Sequence, residues 1–239
     1  MNLPGIPQLN RLIARLTLSS MARRVKNGKL TYLSPERLRN IERYLGEIQA
    51  MAVPGLCVET GVALGGSGIL IASLMEPART FRGYDVFGMI PPPSQKDDEK
   101  SRARYAKIAS GEAKGIGGTG YYGYERDLYA KVAQSFSEFG QPVDGRRISL
   151  HRGLFEDTLQ FEPGAKVAFA HIDCDWYEPV RLCLNRLYVV WSIGGYFVID
   201  DYNDYGGCHR AVDEFLAQHD DVRIISFSSN LVLQRRPGA

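Results

Sequence analysis

The chain has 239 residues, enough for one large domain with a full core, and it is 44% hydrophobic and 23% charged. That composition excludes a disordered, collagen-like or repeat architecture. The formal net charge of +2 is too small to argue for a nucleic-acid partner.

No stretch reaches the roughly 20 apolar residues that cross a bilayer. Arg11 and Arg15 interrupt any signal-peptide-like apolar region. Cys57, Cys174, Cys183 and Cys208 form no C-x-x-C pair, which argues against a zinc cluster. The expectation is four free, mostly structural thiols in a reducing cytoplasm, with no membrane partner.

Residues 1–33 are basic, with Arg23, Arg24, Lys26 and Lys29 close together. They read as an oligomerisation arm or a solvated lid, with a phosphate-attracting patch as the alternative. A helix then begins with Ser34 as N-cap, Pro35 at its first position and Glu36 behind it. Leu38, Ile41, Leu45 and Ile48 recur at helical spacing, and Pro54-Gly55 ends the segment.

From there strands and helices alternate. Strands are predicted over 56–59, 80–85, 147–151, 166–173 and 196–200, and helices over 66–75, 177–190 and 208–219. Ile193-Gly194-Gly195 is expected to close the second of these helices. Two final strands, 222–227 and 230–235, are separated by a hairpin-length gap. Alternation implies a parallel sheet covered on both faces, and the hairpin adds an antiparallel strand at its end.

Residues 88–146 interrupt the pattern. They hold Pro91-Pro92-Pro93, a charged run from Lys96 to Lys100, a glycine-rich stretch ending Tyr121-Tyr122-Gly123-Tyr124, and a helix predicted over 125–139. An insertion this long after the second strand lies over the carboxyl edge of the sheet, and it reads as a lid that orders on ligand binding.

Ligands of open α/β sheets sit outside the carboxyl ends of the strands. Four of the five parallel strands end in a carboxylate: Glu59, Asp85, Asp173 and Asp200; one or two could be chance, but four suggest a site. The first strand leads into Gly61-Val62-Ala63-Leu64-Gly65-Gly66-Ser67 and a helix. A phosphate-binding loop needs Lys where Ser67 stands, and a dinucleotide fingerprint needs Gly where Ala63 stands. A zwitterionic, methionine-type ligand fits better. Glu59 is expected to face its ammonium group, Ser67 to bind its carboxylate, and Asp85 to accept ribose hydroxyls.

Asp173, Asp175, Asp200 and Asp201 form a second cluster at neighbouring strand ends. Adjacent carboxylates repel unless one is protonated or a cation lies between them. An all-oxygen set suggests Mg²⁺, with Ca²⁺ or Mn²⁺ as alternatives. Asp175 or Asp201 could instead cap the following helix. Of the histidines, His171 reads as a core residue and His219 as a helix-end charge. His151, ending a strand near the lid, is the histidine to test as a base.

The run Phe169-Ala-His-Ile-Asp173-Cys-Asp175-Trp-Tyr177-Glu178 resembles the TylF/MycF family of macrocin and mycinamicin O-methyltransferases. So do Gly194 to Tyr202, Gly207 to Phe215, the glycine loop, and Gly153-Leu-Phe155-Glu-Asp-Thr158-Leu159. The similarity runs from about Ser34 to Phe215, and the acid spacing is also similar to catechol O-methyltransferase. The resemblance implies a class I S-adenosylmethionine methyltransferase fold: a mostly parallel seven-stranded sheet with a C-terminal antiparallel hairpin. The enzyme domain would span 34–239, with its lid at about 88–146.

It also implies a Mg²⁺-dependent methyl transfer to a hydroxyl, of a sugar on a small-molecule natural product. Asp173, Asp200 and Asp201 are the implied metal ligands. Glu59, Thr60, Gly61, Val62, Gly66, Ser67, Asp85, Gly153 and Asp173 are the expected cofactor positions. Asp173 first and His151 second are the residues expected to act as base, from their places near the metal and the lid, and a homo-oligomer is expected. The alternatives are a related protein of the cephalosporin-hydroxylase-like group and a non-catalytic ligand-binding module. The lid's Pro-Pro-Pro and Tyr-Tyr-Gly-Tyr motifs depart from the family pattern, so the acceptor need not be a macrolide.

Overall fold

A computed structural model describes residues 17–237. Helix α1 (Ser20–Asn27) precedes α2 (Pro35–Ala50), β1 (Leu56–Thr60), α3 (Gly66–Leu74) and β2 (Phe81–Asp85). The insertion contributes α4 (Glu99–Ala109) and α5 (Leu128–Glu138). Then come β3 (Ile148–Arg152), α6 (Phe155–Thr158), β4 (Val167–Ile172), α7 (Tyr177–Val190), β5 (Trp191–Ile199), α8 (Gly206–Leu216), β6 (Val222–Ser226) and β7 (Leu231–Arg235).

The strands form one seven-stranded sheet in the order β3-β2-β1-β4-β5-β7-β6. The five from β3 to β5 are parallel, and β7 runs antiparallel to both β5 and β6. This is the expected architecture. Strand β4 is buried along its whole length, because helices cover both faces of a parallel sheet. Among the described residues no helix is long and apolar enough to cross a membrane.

Helix α2 follows its sequence pattern closely. Leu38, Ile41, Leu45 and Ile48 are fully buried, each contributing about 1.5–3 kcal/mol of burial. The Ser34 hydroxyl accepts from the Arg37 N–H, which closes the first turn as anticipated.

Three local readings differ. Strand β5 begins at Trp191 rather than 196, and Gly194 takes φ +82° inside it. The indole of Trp191 stacks flat on Phe197 at 3.5 Å, so the residues expected to close the helix are pulled into the sheet. The charged run in the insertion leads into α4, with Asp98 as N-cap to the Ser101 N–H. The basic N-terminal stretch contains α1, capped by Ser19, with Ala22 and Val25 fully buried in the main core. Residues 17–33 are therefore packed structure; 1–16 lie outside the described residues.

Loss of the Ser34 cap in Ser34→Ala is expected to cost about 1 kcal/mol, and Ser34→Asp to restore it. Urea unfolding followed by tryptophan fluorescence measures both, and an unchanged midpoint for the alanine variant would show that the cap contributes nothing.

Candidate functional site

The strand order reverses between β1 and β4, which opens a crevice at their carboxyl ends. Gly61 and Asp173 meet there. A Cβ on Gly61, which has φ +92°, would lie 1.7 Å from the Asp173 carbonyl oxygen. The Asp173 N–H donates to the Thr60 carbonyl at 2.8 Å, so the two strand ends are joined above the sheet.

Two adjoining cavities lie over this point, of about 380 Å³ and 220 Å³, and they share Gly61, Tyr122, Asp173 and Trp176. The larger is charged: Asp173, Asp175, Asp200, Asp201 and Asp204 line it together with Arg37, Lys100 and Arg104. The smaller runs from Asp85 past Pro91 and Pro92 to Leu154 and Phe155.

Asp173, Asp200 and Asp201 each offer an oxygen within 4.8 Å of the others. Their electrostatics differ by neighbour. Burial and then the charge of Asp200 push Asp173 well above the usual carboxylate range. Burial, Asp175 and Asp200 do the same to Asp201. Asp175 is pushed up to about 6 by burial, against the opposing charge of Arg104. Burial would raise Asp200 as well, but the His171 imidazole and Arg37 outweigh it and hold Asp200 low. Converging carboxylates that resist joint ionisation are a hard, all-oxygen donor set, so they fit a divalent cation. Neither Asp175 nor Asp201 caps a helix with its side chain. Instead the Asp175 N–H donates to Asp201 Oδ2 at 3.2 Å.

The other expected residues divide. Asp85 lines the smaller cavity, and its two oxygens accept from the Ala63 N–H (2.9 Å) and the Phe87 N–H (2.6 Å). It braces the glycine loop as well as facing the cleft. Glu59 does not line the cavities. It is fully buried, with Oε1 2.9 Å from Nδ1 of His171. The imidazole, also fully buried, has its other nitrogen 3.8 Å from Asp200 Oδ1. Burial disfavours its charge, but Asp200 and Glu59 prevail and push His171 up to about 10.

Thr60, Val62 and Ser67 are buried, and the Gly66 N–H is taken by the Leu30 carbonyl at 2.9 Å. Gly153 has φ +145° and donates its N–H to the Asp85 carbonyl. His151 is the penultimate residue of β3, three strand positions from β4, roughly 14 Å across the sheet. It stacks on Tyr84 at 4.6 Å and contacts Ser149 Oγ, and burial lowers its pKa. The fold does not bring it to the acid cluster.

A model of the TylF, macrocin-O-methyltransferase, family matches residues 24–117 and 119–226. The chain belongs to that family. It is an S-adenosylmethionine-dependent O-methyltransferase, which decides against a non-catalytic module.

The demethyldecarbamoylnovobiocin O-methyltransferase of Streptomyces niveus is 29% identical over 202 residues, covering 80% of this chain and 69% of that one. The mycinamicin III 3''-O-methyltransferase of Micromonospora griseorubida is 26% identical over 199 residues, covering 79% and 71%. The solved O-methyltransferase NovP superposes with a TM-score of 0.72 at 27% identity, covering 87% of this chain and 82% of its own. TomG of Streptomyces achromogenes, solved with S-adenosylmethionine, shares the fold at a TM-score of 0.58 and 13% identity, covering 96% of each chain.

In this TylF-family chain several site residues carry no motif of their own. Arg37 leaves the first turn of α2 and reaches Asp200 and Asp204, each at 2.5 Å. Asp97 and Asp98 reach from the insertion to the two helices behind the acids. Asp97 Oδ1 accepts from the Tyr177 N–H and Asp98 Oδ2 from the Gly206 N–H, both at 2.8 Å. Each supplies an N-terminal cap that the local sequence of α7 or α8 does not provide. The missed signal was a paired Asp97-Asp98 opposite two uncapped helix starts.

In His171→Ala, Glu59 would remain buried without a cation, and stability should fall by about 3–5 kcal/mol in urea unfolding. A loss of about 0.5 kcal/mol or less, the usual surface value, would show that the His171–Glu59 contact contributes nothing to stability.

Proposed function

We propose that this enzyme methylates a hydroxyl of a small-molecule natural product, on a sugar moiety, with a divalent cation, Mg²⁺ first, held by Asp173, Asp200 and Asp201. The convergence of those three carboxylate oxygens within 4.8 Å, beside the crevice where β1 and β4 diverge, carries the reading. The relatives support it: one acts on mycinamicin III at its 3'' position, another on a rhamnosyl-tetracenomycin at its 4' position.

In this reading the cofactor lies across both cavities. Asp85 faces its ribose, since each carboxylate oxygen that accepts a backbone N–H keeps a free lone pair. Gly61 lets the chain pass beneath it without a side chain. When bound, S-adenosylmethionine supplies the sulfonium methyl group. A divalent ion at the acids would supply positive charge that lowers the pKa of the acceptor hydroxyl.

Asp173 is the base that receives the hydroxyl proton. It stands where the acids converge beside the crevice, and a cation held there would favour its ionised, proton-accepting form. Asp200, kept ionised by His171 and Arg37, holds the negative charge that the ion needs. Tyr122 and Trp176, which line both cavities, keep water from the reacting atoms and limit the acceptor's freedom.

Calorimetric titration with S-adenosylhomocysteine, with and without Mg²⁺, tests the cofactor reading: micromolar binding is expected. Asp173→Asn should lower turnover of a glycosylated acceptor by about 10²–10⁴-fold while sparing cofactor affinity. Asp200→Asn should abolish transfer and weaken Mn²⁺ binding measured by electron paramagnetic resonance. Full activity of folded Asp200→Asn, or full activity in excess chelator, would sink the metal assignment.

A further inference from the structure

The larger cavity holds three cations and five aspartates, and two of the cations are engaged. Arg37 is held by Asp200 and Asp204. The Lys100 ammonium donates to the Asp204 carbonyl and lies 4.9 Å from the Tyr205 ring centre. Arg104 is different. Among the described residues its guanidinium makes no hydrogen bond and no ion pair, although its charge is felt at Asp175. It lies 5.6 Å from the Tyr121 ring centre, a stacking distance that leaves its fork of N–H donors free.

We propose that the acceptor carries an anionic group, a phosphate or a carboxylate, and that Arg104 recognises it. The proposal rests on the methyltransferase reading and names the substrate class for that site. A half-buried cation that leaves nearby carboxylates unpaired is electrostatically costly, and a ligand anion relieves the cost. Guanidinium matches a carboxylate or phosphate with two parallel hydrogen bonds.

Lys100 stands one helical turn earlier on α4, on the same face, and adds a second positive charge along the edge of the cavity. The acids gather at the strand ends and Arg104 stands on the insertion helix, so one molecule can present a hydroxyl to the first and an anion to the second. The competing anion is the cofactor's own carboxylate, because Gly61 and Ala63 line the same cavity.

The test titrates wild-type protein, R104A and R104K, each loaded with S-adenosylhomocysteine and Mg²⁺, with glucose 1-phosphate, glucuronate and glucose. Ligand-detected nuclear magnetic resonance follows the binding. At least one anionic sugar is expected to bind roughly tenfold or more tightly than glucose, the scale of one charge-assisted hydrogen bond. R104A should erase that preference, R104K should keep part of it, and affinity for S-adenosylhomocysteine should be unchanged in both. Preference for the phosphate or for the glucuronate alone identifies which anion is read.

Three results overturn the proposal: no anionic preference in the wild type, a preference that survives R104A, or a loss of S-adenosylhomocysteine affinity in R104A that matches the loss for the sugar. Failure of wild-type protein to bind S-adenosylhomocysteine would instead sink the reading beneath it.

Discussion

Five aspartates line one cavity at the carboxyl edge of the sheet, and their mutual repulsion organises much of what surrounds them. Unpaired buried carboxylates either take up protons or need cations, and both responses occur here. Asp173 and Asp201 are driven toward the protonated form, while Asp200 is kept ionised by two cations from opposite sides. His171 reaches it from within the sheet and Arg37 from helix α2. Glu59 in turn keeps the buried imidazole charged, so a residue at the end of β1 acts on an acid at the end of β5 through the strand between them.

Two further aspartates tie the insertion down. Asp97 and Asp98 hold the starts of α7 and α8, the helices that follow the two acidic strand ends. The space is tight: a Cβ on Gly207 would lie 1.8 Å from Asp97 Oδ1. The insertion is therefore clasped to the helices that frame the acids. Its own small core of Ile108, Ala113 and Tyr121 carries Arg104 and the tyrosines over the cavity. The insertion and the starts of α7 and α8 are thus joined by the same two hydrogen bonds.

The sheet and the acidic cluster were legible in the sequence because each rests on short-range signals. Apolar runs of strand length ended in carboxylates, helical periodicity marked α2, and a two-residue gap marked the terminal hairpin. The places of Asp173 and Asp200 at the ends of neighbouring apolar strands already implied convergence, since parallel strands bring their carboxyl ends to one edge; Asp201 was added by the family resemblance.

What stayed illegible depends on contacts far apart in the chain. Glu59 looked like a cofactor residue by its position at a strand end, but only the packing of β1 against β4 turned it toward His171. His151 looked equally well placed, yet the strand order put it across the sheet from the acids. Arg37, Asp97, Asp98 and Arg104 sit in ordinary helical or polar stretches, and nothing local marks them.

The sequence by itself determined the element order, the parallel sheet with its antiparallel end, and the set of strand-end acids, because periodicity and strand length are local properties. Which acids are driven toward protonation, which cations face them, and which cation stays unpaired among the described residues were decided by tertiary structure alone. Charge compensation depends on distances across the fold rather than along the chain.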